Sequence, residues 1–591
     1  MLRQSNTRKR GVLLAALTSS VDLSLLAPLV EKYNGRSRSA LLPFLHQSQE
    51  LYGWLPRAVL ETIGKTLRVP LAEIHGVVEF YTMFYTEPTA KRVIRVCEDL
   101  ACTRAGAQSV MDTISDKLGI HHGETSADGS VTYECVPCLG MCEHAPCALN
   151  GEKPAGSLTP ETVDDFLNGS HPEPNALPYG GPFIKLSRIG RVDPTSLGDY
   201  ERNGGYRGLK KSLTMSPDTL IGTIENFSIL GRGGAMFPLG RKWLFTRGAP
   251  GTPAEKHVVV NADESEPGTF KDRCLLEEDP FAVIEAMTIA AYAIGAENGW
   301  IFVRGEYPRA HRRLHNAVDM ARDAGYLGKN ILGKEGFHFD VHVRLGAGAY
   351  ICGEETALFE AIEGKRGFPR IKPPFPTTHG LFNQPTAVNN VETLVAMLAG
   401  LTIGEASWNR IGAADSPGTK LFCVSGDVKL PGIYEIPFGI TIRELIDMAG
   451  GTPNEHPVKA VLMGGAAGVF IGENKLDTPL TYDAMRKENI PMGSGVVMVF
   501  DETTDLRQHL YELSRFFAHE SCGKCFPCQI GTQRQMEIVE RIANNGGPKP
   551  TDKGDLLDIG FTMTETSLCG LGQTAASALI SAIELWPELV E

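Results

Sequence analysis

The sequence predicts a multidomain α/β protein, and three observations carry that prediction. At 591 residues the chain is too long for one hydrophobic core, and a length of about 150 residues per domain implies roughly three to five. The spacing of apolar residues changes character along the chain, from helical to short buried-strand runs and back. A proline- and glycine-rich stretch from Ser170 to Pro182 separates a smaller N-terminal part from a larger C-terminal one.

Taken in order, residues 1–88 show helical spacing, as in Leu41-Leu42-Phe44-Leu45 and Val59-Leu60-Ile63, with Pro56 and Pro70 dividing it into short helices. This predicts a small helical domain. From Lys91 the pattern changes: Val93–Val96 reads as a strand, about Ala105 to Leu118 as a polar helix, and Val131–Tyr133 and Ala148–Leu149 as further strands. A compact α/β domain over 89–168 fits, followed by an extended linker over 169–185. Residues 186–415 mix strand runs such as Val258–Val260 and Trp300–Val303 with long helical patterns, notably Pro280 to Ile294, and form the largest α/β domain. Lys420–Ser425, a turn at Pro431-Gly432 and a helix near Ile442–Met448 give a β-grasp-like succession over 416–500. The remainder, 501–591, reads as helical.

Lys and Arg number 57 against 70 Asp and Glu, a formal net charge of -13, so no basic field exists to hold a nucleic acid backbone. No apolar run approaches the 18 or more residues of a membrane span. Arg3, Arg8, Lys9 and Arg10 precede Val12–Leu17, but Asp22 interrupts the apolar pattern and Leu23, Leu25, Leu26 and Leu29 continue at helical spacing, favouring an amphipathic helix or tail over an export signal. Among 13 cysteines, seven fall in two clusters at metal-ligand spacing, which predicts a reducing, cytoplasmic compartment.

The C-terminal cluster is Cys522-Gly523-Lys524-Cys525-Phe526-Pro527-Cys528, with Cys569 farther on. Three thiolates around one loop plus a distant fourth is [4Fe–4S] ligation; zinc sites usually draw two ligands from each of two knuckles. The N-terminal cluster pairs Cys97 with Cys102 and Cys138 with Cys142, the four thiolates of a [2Fe–2S] centre. Cys135 and Cys147 lie nearby, and spacing leaves open which thiols are ligands or whether Cys135-Val136-Pro137-Cys138 is a redox dithiol. Cys274, Cys352 and Cys423 read as buried apolar thiols.

Between the clusters lies a glycine-dense loop, Gly231-Arg232-Gly233-Gly234-Ala235-Met236-Phe237, with Gly240, Arg241, Lys242 and Trp243 behind it. Its backbone N–H groups suit a phosphate that Arg232 and Lys242 would neutralise. It lacks the Gly-x-Gly-x-x-Gly fingerprint, as does Gly346-Ala347-Gly348, so no generic dinucleotide fold is predicted. Two acidic groups, Asn261-Ala262-Asp263-Glu264-Ser265-Glu266 and Gly353-Glu354-Glu355, offer acceptors for sugar hydroxyls, and Phe237, Phe245 and Phe375 offer stacking faces.

These segments, with Lys372-Pro373-Pro374-Phe375-Pro376, Asn389-Asn390-Val391-Glu392-Thr393 and the Cys522 loop, together resemble the large NADH-oxidising flavoprotein subunit of respiratory complex I. Residues 40–150, with His75–Phe84 and Cys138–Cys142, resemble that complex's small [2Fe–2S] flavoprotein subunit. The fusion is similar to the diaphorase subunits of soluble NAD-reducing nickel–iron hydrogenases. Met236 stands where the family usually has glycine.

The resemblance implies thioredoxin-like, FMN-binding, β-grasp (SLBB-like) and helical cluster folds. It implies FMN held by Gly231, Arg232, Gly233, Lys242, Asn261, Asp263, Glu264, Tyr350, Gly353, Glu354, Asn389, Asn390 and Thr393. NAD(H) would be contacted by Phe237, Phe245, Glu266, Glu355, Lys372 and Phe375. The metal ligands would be Cys97, Cys102, Cys138 and Cys142 for [2Fe–2S] and Cys522, Cys525, Cys528 and Cys569 for [4Fe–4S], with Cys135 and Cys147 as non-ligands. The implied activity is hydride transfer between NAD(H) and FMN with no catalytic side chain, followed by one-electron transfer through the clusters. Implied partners are an iron–sulfur electron-transfer subunit and nickel–iron hydrogenase subunits. A formate dehydrogenase or complex I setting for the same module is the alternative, and a zinc scaffold without electron transfer is a third reading, told apart by colour.

Overall fold

The computed structural model describes residues 21–544 and 546–591, so the expected amphipathic segment at Val12–Leu17 lies outside the described residues. Four short helices open the fold: α1 (Ala27–Tyr33), α2 (Leu41–Tyr52), α3 (Arg57–Leu67) and α4 (Leu71–Phe80). Pro56 and Pro70 stand at the N-caps of α3 and α4, where a missing N–H costs nothing. Leu41, Phe44, Leu45, Val59, Leu60, Ile63 and Ile74 fill the core between them.

The next unit is a five-stranded sheet, β1 (Val93–Cys97), β2 (Glu124–Thr125), β3 (Thr132–Val136), β4 (Ala148–Asn150) and β5 (Lys153–Ala155), in the order β2-β3-β1-β4-β5. β1 runs parallel to β3 and antiparallel to β4. The expected polar helix is α6 (Ala107–Leu118), and a short helix that the sequence reading did not include, α5 (Leu100–Arg104), precedes it across Gly106 in the left-handed region.

The expected linker is not free throughout. Pro178–Gly180 is strand β6, paired parallel to a strand of the β-grasp unit. Beyond it the buried carboxylate of Glu435 accepts the backbone N–H groups of Ile184, Lys185 and Leu186 and the hydroxyl of Thr419.

The largest unit is built on a parallel sheet, β7 (His257–Ala262), β8 (Asn298–Val303), β9 (Asp340–Leu345) and β10 (Thr386–Asn390), ordered β10-β7-β8-β9. Its helices include α7 (Leu239–Gly248), α8 (Lys271–Glu278), α9 (Pro280–Ile294), α10 (Pro308–Asp323), α11 (Glu355–Ile362) and α12 (Val391–Ile403). α9 is buried on every side, as its mostly apolar composition requires, and its one carboxylate, Glu285, accepts the Tyr200 hydroxyl and the Tyr206 and Leu209 N–H groups. β7 connects to β8 on one side while β10 pairs on the other, so the strand order reverses between β7 and β10. Such a switch point opens a crevice at the carboxyl ends of the strands.

A short ribbon, β11 (Gly412–Ala413) and β12 (Ser416–Pro417), leads to the β-grasp unit: β13 (Thr419–Gly426), β14 (Gly432–Pro437), α13 (Ile442–Met448), β15 (Val458–Met463), β16 (Val469–Ile471) and β17 (Val496–Asp501). The sheet order is β16-β15-β17-β13-β14-β6. The chain closes with α14 (Leu506–Glu520), α15 (Phe526–Ala543), α16 (Asp552–Thr566) and α17 (Ser577–Leu585). Among the described residues no helix is long and apolar enough to cross a membrane.

Candidate functional site

The crevice between β7 and β10 gathers the motif residues. Asn261, near the end of β7, donates from Nδ2 to the Gly353 carbonyl at 2.7 Å. Asn390, ending β10, caps α12 and donates to Asp272 at 2.6 Å. Asn389 accepts the Trp243 indole N–H, leaving its Nδ2 buried and unpartnered; the Asp263 Oδ2 is likewise orphaned. Burial drives the Asp263 carboxyl well above the usual range, the nearby Arg304 only partly opposing. Buried polar atoms without partners need a ligand or water.

The glycine loop folds back on itself through Gly231 N–H to the Phe237 carbonyl, and the Arg232 N–H donates to Thr393 Oγ1 at 2.8 Å. A Cβ at Gly233 would lie 3.2 Å from that of Asn390, so the loop backbone approaches the crevice closely. Met236 adopts φ 52°, the left-handed conformation that a glycine takes without penalty. Its side chain packs on the β-grasp core, which offsets a strain of roughly 1–2 kcal/mol.

Two expected roles are corrected by side-chain direction. The guanidinium of Arg232 is buried away from the loop, stacked on Phe438 at 4.9 Å and bonded to the Tyr482 hydroxyl, so it cannot neutralise a phosphate there. The Glu264 carboxylate accepts the Asp272 and Arg273 N–H groups at the start of α8, each at 2.8 Å, together with the Tyr307 hydroxyl. It anchors a helix and is withdrawn from a sugar.

Lys242, on α7, donates to the Val388 carbonyl at 2.8 Å, and burial lowers its pKa. Glu354 caps α11 by accepting the Thr356 and Ala357 N–H groups. Lys372 Nζ bridges Glu354 and Glu355 at 2.9 Å each; burial would lower its pKa, but the two carboxylates prevail and raise it. Glu266 accepts the Tyr350 hydroxyl at 2.5 Å and the Ala467 N–H, the latter from the β-grasp unit. Phe237, Phe245 and Phe375 are exposed, and the first two rings stand 6.4 Å apart.

The C-terminal cysteines converge. Cys522, Cys525, Cys528 and Cys569 line one pocket, Cys525 at the N-cap of the long helix α15 and Cys569 at that of a short one. Burial raises the Cys522 thiol to about 11 and Cys528 to about 12, so four thiolates there require a cationic centre. Ile351 of the crevice loop lines the same pocket, and the neighbouring Tyr350 N–H donates to Glu520 Oε2 at 2.9 Å, two residues before Cys522. The crevice and the pocket therefore share a wall.

In the thioredoxin-like unit, Cys138 and Cys142 stand 3.6 Å apart, Sγ to Sγ. Cys97 and Cys102 lie opposite, but a fifth thiol is with them: the Sγ atoms of Cys97, Cys102 and Cys147 are all within 4.8 Å of one another, Cys102 and Cys147 at 3.5 Å. Cys147, expected as a non-ligand close to the cluster, thus has its sulfur among those of two expected ligands. Cys135 does stand apart, its thiol bonded to the Tyr133 hydroxyl.

Sequence reasoning missed the residues that tie this unit to the crevice. Arg304 donates to the Cys138 carbonyl and the Glu264 carbonyl, and Arg273 to the Gly140 carbonyl and the Glu143 carboxylate. Tyr307 packs so closely on Gly140 that a Cβ there would overlap its hydroxyl. The His75–Phe84 motif is also a docking segment: Thr82 and Met83 N–H bond to the Gly348 and Ala347 carbonyls, and Arg366 to the Gly76 carbonyl. Arg273 lies 133 residues from Gly140 and Arg304 166 residues from Cys138, so no local pattern marks these contacts in sequence.

Four family models match the chain: the Thioredoxin-like [2Fe-2S] ferredoxin over 26–171, the Nuo51 FMN-binding domain over 224–399, the SLBB domain over 421–465 and the NADH-ubiquinone oxidoreductase-F iron-sulfur binding region over 508–591. The NAD-reducing hydrogenase HoxS subunit alpha of Cupriavidus necator is 35% identical over 96% of this chain and 94% of its own. An NADH-quinone oxidoreductase subunit of Aquifex aeolicus is 44% identical over 68% of this chain and 92% of its own. The crystal structure of an NAD+-reducing [NiFe]-hydrogenase in the H2-reduced state contains a chain that superposes with a TM-score of 0.84, at 32% identity, over 94% of this chain and 92% of that one. FMN, a [2Fe–2S] centre and a [4Fe–4S] centre are thus the cofactors of this architecture.

Proposed function

The chain belongs to the family that includes the flavin-binding subunit of NADH-quinone oxidoreductase and the alpha subunit of NAD-reducing hydrogenase, and from that premise we propose that it is the diaphorase subunit of an NAD-reducing nickel–iron hydrogenase. The observation that carries this reading is the fusion. One chain joins the [2Fe–2S], FMN, SLBB and [4Fe–4S] units and aligns with the hydrogenase alpha subunit across 94% of the latter, whereas the NADH-quinone oxidoreductase relative pairs with 68% of this chain.

When bound, FMN supplies hydride acceptance from the nicotinamide and release of the electrons one at a time. The chain positions it. The N–H groups of Gly231 and Arg232, held by the Phe237 carbonyl and the Thr393 hydroxyl, set the shape of the loop, and Gly233 would bring its backbone to the phosphate, with Lys242 and Asn390 behind it. Asn261, Asp263, Asn389, Tyr350, Gly353 and Glu354 surround the rest, and the orphaned Asn389 Nδ2 and Asp263 Oδ2 fit a polar ligand. Phe237, Phe245 and Phe375 present ring faces for NAD(H), with Glu266, Glu355 and Lys372 as its polar contacts. No side chain acts as acid or base in the hydride step. Cys522, Cys525, Cys528 and Cys569 hold the [4Fe–4S] centre against the crevice wall. Cys97, Cys102, Cys138 and Cys142 hold the [2Fe–2S] centre.

Exit to a partner fits the C-terminal helices. Phe526 (74% exposed) and Ile530 are one turn apart on α15, Leu557 and Phe561 (69% exposed) one turn apart on α16, beside the Cys525–Cys528 loop. Exposed aromatics in this density suit an interface, here with an iron–sulfur electron-transfer subunit that leads to the nickel–iron subunits. The free thiols agree with a cytoplasmic location. The same module in a formate dehydrogenase or a complex I assembly is the alternative. Purifying the chain with its native partners decides: NAD+ reduction by hydrogen is expected, and reduction by formate but not hydrogen would overturn the hydrogenase assignment.

A further inference from the structure

A [2Fe–2S] centre needs two thiolates on each iron, and the thioredoxin-like unit brings five thiols to it. Two thiolates bound at about 2.3 Å to one tetrahedral metal stand about 3.7 Å apart. Cys138 and Cys142, at 3.6 Å, meet that condition as one pair. On the other side three thiols compete for two places: the Cys147 sulfur lies 3.5 Å from that of Cys102 and within 4.8 Å of that of Cys97, so it stands beside the place of Cys102 and within reach of the ligand Cys97. Cys147 is held there by its own backbone: its carbonyl accepts the Cys97 N–H at 3.0 Å, fixing the residue beside a ligand. It is buried, and its sulfur meets the sulfurs of Cys97 and Cys102 where a structural thiol would meet hydrocarbon.

We propose that Cys147 is an interchangeable ligand of the [2Fe–2S] centre, able to take the place of Cys102 on the iron it shares with Cys97. The inference rests on the reading that this unit holds a [2Fe–2S] centre. In the exchange one iron–sulfur bond breaks and another forms; the incoming thiol loses its proton, the outgoing thiolate gains one, and the iron keeps its oxidation state. The reserve is one-sided. Cys138 and Cys142 have none, because the remaining candidate, Cys135, is engaged with Tyr133 on β3.

The test uses the full chain, anaerobically purified, with alanine in place of cysteine so that no serine oxygen can ligate iron. Cys102→Ala is expected to keep the [2Fe–2S] electron paramagnetic resonance signal after reduction and about six irons per FMN. The double variant Cys102→Ala/Cys147→Ala is expected to lose the signal and fall to about four irons per FMN, and Cys142→Ala to do the same although Cys147 is intact. Cys147→Ala alone is expected to keep the signal. Loss of the signal in Cys102→Ala, folded or not, overturns the inference, as does its loss in Cys147→Ala, which would make Cys147 obligatory. A wild-type chain without the signal would instead remove the [2Fe–2S] reading itself.

Discussion

Replacing Glu355 by glutamine should shift coenzyme choice towards NADPH, and the structure sets both size and sign. NADP differs from NAD by a 2′-phosphate bearing nearly two negative charges near neutral pH. At an effective dielectric constant near 20, two unit charges about 6 Å apart interact by about 3 kcal/mol, so a bare carboxylate would repel that phosphate strongly. Here the carboxylate is not bare: Lys372 Nζ lies 2.9 Å from both Glu354 and Glu355, and Glu355 and Lys372 are 30% and 32% exposed. Partial neutralisation and solvent screening leave about 1–3 kcal/mol, or roughly 5- to 150-fold, in the NADPH-to-NADH ratio of kcat/KM. The assay is steady-state reduction of an artificial acceptor with each coenzyme, repeated at two ionic strengths, because the change should shrink with salt. Lys372→Met should move the ratio the other way by uncovering the two carboxylates. Glu354→Gln should leave the ratio alone and weaken FMN retention, since that side chain caps α11 inside the crevice. An unchanged ratio in Glu355→Gln, or a shift of the same sign in both Glu355→Gln and Lys372→Met, would refute the reasoning.

Three further outcomes are expected. Cys525→Ser should abolish the [4Fe–4S] signal and electron transfer to the partner while FMN is still reduced by NADH, and Cys135→Ser should leave both cluster spectra intact; spectra with stopped-flow flavin bleaching check both. His46 is half-buried with its Nε2 enclosed and unpartnered, and burial holds its pKa near 4, against hydrogen bonds to Gly346 and Leu345 that would raise it. Because the folded value lies below the unfolded one near 6.5, its stabilisation is fully present above pH 6.5 and is lost as pH falls towards 4, about 3 kcal/mol in all; urea midpoints between pH 7 and 5 should fall less steeply in His46→Gln. Phe561→Glu, at an exposed position that is not a cysteine ligand, should weaken association with the electron-transfer subunit at least about tenfold with cluster spectra unchanged, as measured by sedimentation or titration calorimetry.

What the sequence made legible was local. The β-grasp helix at Ile442–Met448 follows from periodicity because its own side chains set its buried face, and the α9 span, Pro280 to Ile294, from a mostly apolar run too long for a strand. The Cys522–Cys528 loop was equally legible, since three ligands within so short a stretch can only converge. What it hid depends on partners far away in the chain. Arg232 reads as a phosphate cation until Tyr482, 250 residues on, claims its guanidinium; the linker reads as free until Glu435 gathers two of its N–H groups and that of Leu186 just beyond it. Both concern the β-grasp unit, whose role is therefore to brace. It fixes Arg232 from below, holds Glu266 through Ala467, and seats Met236 in a conformation a glycine would adopt freely. A flavin loop stiffened from a neighbouring unit keeps its backbone shape without ligand contacts of its own, and that preorganisation is what alignment of two rings for hydride transfer demands. Loosening the brace at Tyr482→Phe, which removes the hydroxyl bonded to Arg232 but keeps the ring it stacks on, should therefore weaken FMN retention by only a few-fold, while Tyr482→Ala, which removes both, should weaken it further. Fluorimetric titration of FMN into the deflavinated chain measures this, and equal affinities in the two variants and the wild type would show that the loop holds its shape unaided.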